Sequence, residues 1–186
     1  KARSESAELV RHTGDVIGGI EGVFSSIKDM ETGQRGFLLT GEERYLEPYL
    51  QGRGRFVNEL ESLSQLTADN TEQQRRLRLL QQLAGEKLVE LEETIAQKRA
   101  GQGDVALAMM KTDRGRAAMQ QIRRLVDEMR QAERDLLQER QAAWQAAAAN
   151  SFLVQLLGAG TLLLLVVLGA VLASRDHHER EVQAWL

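Results

Sequence analysis

The stretch DMETGQRGFLLTGEERYLEPY (Asp29–Tyr49) decides how the first half of the chain folds. Its apolar residues continue the three- and four-residue spacing of the preceding segment, which is typical of one face of an α-helix. Polar residues at positions 31, 34 and 35 interrupt that face, and Thr40-Gly41 then supplies the glycine that ends many helices. Pro48 follows within the opening turns of a second helix, where proline is tolerated. The stretch therefore predicts two helices joined by a tight turn at Thr40, Gly41 and Pro48.

The same spacing of apolar residues recurs further along the chain. Together with the first segment, which starts at Leu9, it marks four helical segments, and the later three cover residues 45–66, 77–95 and 119–136. Long amphipathic helices with short connections favour antiparallel neighbours. The last segment runs into an apolar stretch without a proline. The sequence thus predicts an all-α fold, an elongated up-down four-helix bundle whose last helix continues into a transmembrane helix.

The connections between the segments contain residues that start or end helices. Asn70 and Thr71 favour a helix start, and the run from Gly101 to Gly103 predicts a turn. We expect a short helix at Val105–Lys111 before the last long helix, with Asp104 as its N-cap.

The segment Ser151–Ala173 is almost wholly apolar, and no charged residue occurs from Gln141 to Ala173. About 20 apolar residues suffice to cross the hydrocarbon core of a bilayer. A signal peptide is excluded because the segment lies near the C-terminal end of the sequence. A buried helix of a soluble bundle would need apolar neighbours on every side, which three or four other helices hardly supply. We therefore expect a transmembrane helix and a lipid bilayer as a partner.

The composition excludes several classes of protein and site. The chain has 24 basic and 27 acidic residues in mixed order, so no basic block points to a nucleic-acid partner. It has no cysteine, which excludes a thiol nucleophile and a cysteine-ligated metal. Aromatic residues make up 4% and there is one proline, which is low for a β-sandwich or an α/β enzyme.

The polar interruption of the first helix is the strongest candidate site. Glu31 and Arg35 form an i, i+4 pair, which on a helix surface contributes about 0.2–0.5 kcal/mol. A buried pair would need further partners, which Glu133 or Arg140 of the last long helix could provide. We predict that these residues and Gln34 form a structural or signalling polar cluster. Contact with a ligand is the alternative, and catalysis is disfavoured because the stretch contains no histidine or nucleophile.

Other motifs give no catalytic, cofactor-binding or metal-ligating residues. His177 and His178 are adjacent on the chain, so we expect their side chains to point in different directions, whereas a metal site needs several converging ligands. Gly33, Gly36 and Gly41 lack the strand and the Lys-Ser/Thr pair of a phosphate-binding loop. The sequence therefore predicts neither a cofactor nor an enzyme active site in this segment.

The motif Asp29-x-Glu31-Thr-Gly-Gln34-Arg35-Gly-Phe-Leu-Leu-Thr-Gly41, followed by Tyr-Leu-Glu-Pro-Tyr49, resembles the signature of the third class of CHASE domains. The resemblance covers about residues 1 to 145. It implies a helical extracytoplasmic sensory module between two transmembrane helices of a bacterial receptor. Such modules occur most often on histidine kinases, and also on diguanylate cyclases and chemotaxis receptors. The family has no established general ligand, so the resemblance assigns no ligand-binding residue.

The resemblance implies a protein of the bacterial inner membrane, and the sequence then divides into three regions. Residues 1–145 are expected to form a periplasmic sensory bundle, 146–174 the transmembrane helix with its approach, and 175–186 the start of a cytoplasmic linker. Two arginines before the span and two after it leave the positive-inside rule undecided, so the orientation rests on the resemblance.

The favoured function is the sensory and transmembrane segment of a histidine kinase, acting as a homodimer on a small-molecule or protein stimulus. The sensory segment of a diguanylate cyclase or chemotaxis receptor, and a membrane-anchored scaffolding coiled coil without a sensing role, are the alternatives.

Overall fold

The computed structural model describes residues 2–143 and the single positions 145, 155, 160 and 161, with side chains from residue 8 onward. The chain divides into two compact units, Lys1–Leu137 and Gln138–Leu186. The helices and the site described below all belong to the first unit. In the second unit, residues 138–143 are helical.

The first unit is built from helices, which confirms the predicted all-α class. The helices are α1 (Ala2–Thr40), α2 (Glu47–Leu66), α3 (Thr71–Arg99) and α4 (Gly103–Met110), with a 3-10 turn at Glu43–Leu46. Residues 114–137 are also helical and are called α5 here. The residues described contain no β-strand.

The ends of the helices follow local chemistry. α1 ends before Gly41, whose φ of 73° is favourable for glycine, and the Gly41 amide donates to the Phe37 carbonyl at 2.8 Å. Pro48 lies in the first turn of α2, as predicted. At the start of α3, the Asn70 side chain accepts a hydrogen bond from the Gln73 amide at 3.1 Å.

The short helix α4 exists as predicted, but Asp104 is not its N-cap. The N-cap is Gln102, which makes no side-chain capping bond, and Asp104 lies in the first turn. A carboxylate in that position still interacts favourably with the positive end of the helix dipole.

Contacts between the helices fix the directions of the long helices. α2 runs antiparallel to α1, because Gly19 lies against Leu63 near one end and Gly33 against Tyr49 near the other. α3 runs in the same direction as α1, and α5 is antiparallel to α3. The interior of this arrangement is filled by large apolar side chains, which include Ile20, Ile27, Met30, Leu63, Leu77, Leu80, Leu91, Ile122 and Met129. The packing is that of a helical bundle.

The predicted transmembrane segment Ser151–Ala173 lies outside the described residues, except for Gln155, Gly160 and Thr161. The predicted linker at 175–186 lies wholly outside them. Within the part of the chain that the structure does describe, no helix has both the length and the apolar character needed to cross a membrane. The span therefore stays a prediction.

Candidate functional site

A buried lysine lies at the centre of the candidate site. Lys87 of α3 is 3% exposed, and its Nζ donates to Glu90 Oε2 at 2.7 Å and to Glu31 Oε1 at 3.2 Å. Burying a charge is costly unless it is paired and hydrogen-bonded, and here two carboxylates from two helices satisfy that need. We call Lys87, Glu31 and Glu90 the Lys87 cluster. Glu31 thus has a partner on α3 that the sequence did not identify.

Gln34 lies one helical turn beyond Glu31 and is also buried. Its side-chain nitrogen donates to Thr94 Oγ1 at 2.7 Å. The Thr94 hydroxyl in turn donates to backbone carbonyl oxygens of α3 at Glu90 and Leu91, each at 3.0 Å. These bonds tie the polar stretch of α1 to α3 over two turns of helix.

The start of α5 presses closely against the Lys87 cluster. A Cβ atom on Gly115 would lie 2.5 Å from Glu90 Oε2 and 2.7 Å from Lys87 Nζ, closer than real Cβ atoms come. The preceding turn contains Asp113 with a φ of 58°, a left-handed conformation that is uncommon outside glycine and that Asp tolerates. The close approach therefore depends on the absence of a side chain at position 115.

A cavity of about 480 Å³ adjoins the cluster and is lined by residues of α1, α3, α4 and α5. Four basic and three acidic side chains line it, namely Arg35, Lys87, Arg116, Arg123, Glu31, Glu90 and Asp113. Met110 and Met119 contribute an apolar wall. Several of the lining side chains are exposed, so the cavity is open to solvent. Such an arrangement suits reversible binding of a polar molecule.

Two of the lining cations have no partner among the residues that the structure describes. Arg35 and Arg123 make no hydrogen bond or ion pair with any residue that the structure describes. Arg116 is 3.8 Å from Asp113, which is a loose pair on the surface. Three residues of the predicted cluster line this cavity together, namely Glu31, Gln34 and Arg35.

Another residue of the predicted cluster, Glu133, lies elsewhere in the first unit. Glu133 is buried near the N-terminal end of α3, where its Oε1 accepts a hydrogen bond from Gln73 Nε2 at 2.8 Å. Gln73 is 14 positions before Lys87 in the sequence, which is about 21 Å along a helix. Arg140 is a half-buried residue of the second unit. The prediction that Glu133 could partner the Glu31–Arg35 pair is thus wrong, because α5 is antiparallel to α3 and carries Glu133 toward the opposite end of α3.

The predicted turn is held by its own side chains. Thr40 Oγ1 donates to the Gly36 carbonyl at 2.9 Å and accepts from the Glu42 amide at 3.2 Å. Beyond the turn, Arg99 at the end of α3 binds both carboxylate oxygens of Glu43, at 2.8 and 2.6 Å. This hydrogen-bonded pair with Arg99 lowers the pKa of the Glu43 carboxyl below its ordinary value of 4.5.

A second site in the same stretch of α1 was not identified from the sequence. A Cβ atom on Gly33 would lie 2.5 Å from the backbone nitrogen of Tyr49, and one on Gly52 would lie 2.7 Å from the Ser26 carbonyl oxygen. We call these contacts the α1–α2 crossing. Burial there raises the pKa of the Tyr49 hydroxyl above its ordinary value of 10.0, against an opposing effect of Arg53. Gly33 of the motif and Gly52 of α2 thus allow the two helix backbones to approach closely.

Comparison with known proteins identifies the kind of domain. The model of the CHASE3 domain family matches residues 6–143 of the chain. A similar solved structure is the crystal structure of the sensor domain of the histidine kinase HK9 from Rhodopseudomonas palustris. The two share 25% sequence identity and a TM-score of 0.63, over 68% of this chain and 98% of that one. A search of curated proteins gives no match. The resemblance found in the sequence is confirmed.

Proposed function

Because this chain belongs to the CHASE3 domain family, we propose that it is the sensory and transmembrane segment of a bacterial signal-transduction receptor of the histidine kinase type. The observation that carries the proposal is the likeness of its helical unit to the sensor domain of a histidine kinase over almost all of that domain. In this proposal, residues 1–145 form a periplasmic four-helix bundle. Residues 146–174 cross the inner membrane, and 175–186 begin the linker to an output module.

The contacts of α5 support a mechanism in which its movement carries the signal. Gly115 packs on the Lys87 cluster, and further along α5 Arg130 pairs with Glu21 of α1. Gln73 of α3 also donates to the Met129 carbonyl of α5 at 2.9 Å. A small slide, tilt or rotation of α5 that changes these contacts biases the two states of an output module. The receptor acts as a homodimer, because a helix that moves needs a partner helix against which its movement is read.

Two experiments test this proposal. The gene should encode a kinase module with a phosphoacceptor histidine after Leu186; a stop codon would favour a scaffold, and a cyclase or chemotaxis module would replace the kinase assignment. Insertion of one to four residues after Ala146 should change autophosphorylation of the full receptor in membrane vesicles with helical phase. Output that ignores the number of inserted residues would contradict signalling through a continuous helix.

A further inference from the structure

The cavity beside the Lys87 cluster has the size of a small-molecule site. Its volume of about 480 Å³ lies within the ~300–1,000 Å³ range of ligand pockets, and one water takes up only about 30 Å³. The lining combines charged groups, the amides of Gln34 and Gln120, and the thioethers of two methionines. It can therefore bind a molecule that is polar at several points and has a short aliphatic part.

The inner wall of the cavity presents hydrogen-bond acceptors and an excess of negative charge. Gln34 is 1% exposed, its nitrogen is bound to Thr94, and its Oε1 accepts no hydrogen bond from any described residue. Glu90 accepts from Lys87 through Oε2 alone among the described contacts. Lys87 is one positive charge facing two carboxylates, those of Glu31 and Glu90. The free acceptor oxygens of Gln34 and Glu90 and the excess negative charge therefore favour a cationic hydrogen-bond donor in the cavity.

The outer side of the cavity presents positive charge and hydrogen-bond donors. Arg35 and Arg123 are exposed at its edge and carry no counter-ion in the described part of the chain. A guanidinium group offers a planar fork of donors that matches a carboxylate in two-point contact. The outer side therefore favours carboxylates, and the inner wall favours an ammonium group.

We infer that the cavity binds an acidic amino acid, with its ammonium group toward Glu90 and Gln34 and its carboxylates toward Arg35 and Arg123. The charges balance in this arrangement. The inner wall is one negative charge in excess, the two arginines add two positive charges, and an acidic amino acid carries one net negative charge at neutral pH. Binding stands on the cavity itself, whereas the role of the amino acid as the stimulus rests on the proposed receptor function.

Titration calorimetry of the 186-residue chain in lipid nanodiscs tests the inference, with L-aspartate and L-glutamate as probes. At least one of them should bind. Its analogue without the ammonium group (succinate or glutarate) and its analogue without the α-carboxylate (β-alanine or γ-aminobutyrate) should each bind at least about 10-fold more weakly, since each lacks one charged contact. Absence of binding by both amino acids, or equal binding of the analogue that lacks the ammonium group, overturns the inference.

Substitution of the two arginines locates the site. Arg35→Ala and Arg123→Ala should each weaken binding of the amino acid at least about 10-fold, because each removes a two-point contact with a carboxylate. Both side chains are exposed and unpaired among described residues, so the far-ultraviolet circular dichroism should stay unchanged. Arg124→Ala is the matched control. Arg124 is next to Arg123 in the sequence and its side chain is exposed, but it does not line the cavity, so binding should be retained.

The outcomes separate the site from the receptor function. An equal loss of affinity in Arg124→Ala and Arg123→Ala would show general attraction to a basic surface and would overturn the site. Binding that persists while the output ignores the helical phase of the insertions removes the receptor proposal alone. Output that follows helical phase without any binding removes the amino-acid site alone.

Discussion

The two sides of α1 around residue 33 meet their neighbours in different ways. On one side, Gly33 brings the backbones of α1 and α2 into direct contact at Tyr49. On the other side, Glu31 and Gln34 reach α3 through side-chain hydrogen bonds beside a cavity of about 480 Å³. A contact between backbones has no rotamers to change, whereas side chains beside a cavity can rearrange at small cost. In the proposed signalling movement we therefore expect α1 and α2 to stay together while their contacts with α3 and α5 change.

Lys87→Met should have the largest effect on stability. The substitution keeps the volume of the side chain but leaves Glu90 and Glu31 without their cation. Breaking a buried ion pair by removing one partner costs about 3–5 kcal/mol. We therefore expect a loss of that size in the free energy of unfolding, measured by urea titration at neutral pH with circular dichroism.

Lys111→Met is the control for that experiment, because Lys111 is exposed and has no described ion pair. Its effect should stay within about 0.5 kcal/mol. The double variant Lys87→Met/Glu90→Gln should recover part of the loss, because the most buried carboxylate is then neutral. Equal losses in Lys87→Met and Lys111→Met would mean that the Lys87 cluster contributes nothing to stability.

Gly33→Ala should have the next largest effect. The new Cβ atom would lie 2.5 Å from a backbone nitrogen of α2, so the two helices must separate. Overpacking of this kind costs about 1–3 kcal/mol, and the higher helix propensity of alanine offsets up to about 1 kcal/mol of that. We expect a net loss of about 1–2 kcal/mol by the same urea titration.

Two other glycines calibrate this value. Gly54 has no neighbouring atom within 4 Å of an added Cβ, so Gly54→Ala should stabilise the chain by up to about 1 kcal/mol. At Gly115 the added Cβ would also come within 2.5 Å of an atom, but that atom is the end of the Glu90 side chain. Gly115→Ala should therefore cost less than Gly33→Ala. The reverse order would mean that the Lys87 cluster is packed more rigidly than the α1–α2 crossing.

Local signals explain why much of the fold could be predicted from the sequence. Helical spacing of apolar residues, Gly41 after the first helix and Asn70 before α3 act within a few residues of themselves. The common location of Glu31, Gln34 and Arg35 was predictable for the same reason, because neighbouring turns of one helix share a face.

The partners of these residues depend on which helices meet, and the sequence leaves that open. The apolar spacing of the third helix favours Leu88 as the core position, with Lys87 as the alternative, but the structure buries Lys87 more deeply. Glu133 has the spacing of a core position, but an antiparallel helix carries it to Gln73. The contact at Gly33 was not predicted, because a glycine adds nothing to the apolar pattern. Its role is to let the backbone of α2 approach α1, and the sequence does not show which helix packs there.

The pair Glu43–Arg99 provides the smallest predicted effect, and it differs from the α1–α2 crossing in that it loses its stabilisation in acid. Because the pKa of Glu43 is lowered in the folded chain, the stabilisation by this pair is fully present above pH 4.5 and is lost as pH falls through the folded value. Glu43→Gln should therefore lower the Tm slightly at neutral pH, and the difference from the unsubstituted chain should vanish in acid. Glu61→Gln, at an exposed position without a described ion pair, is the control and should show no such convergence. A Tm difference for Glu43→Gln that persists below the folded pKa would mean that packing, rather than charge, holds the turn against the end of α3.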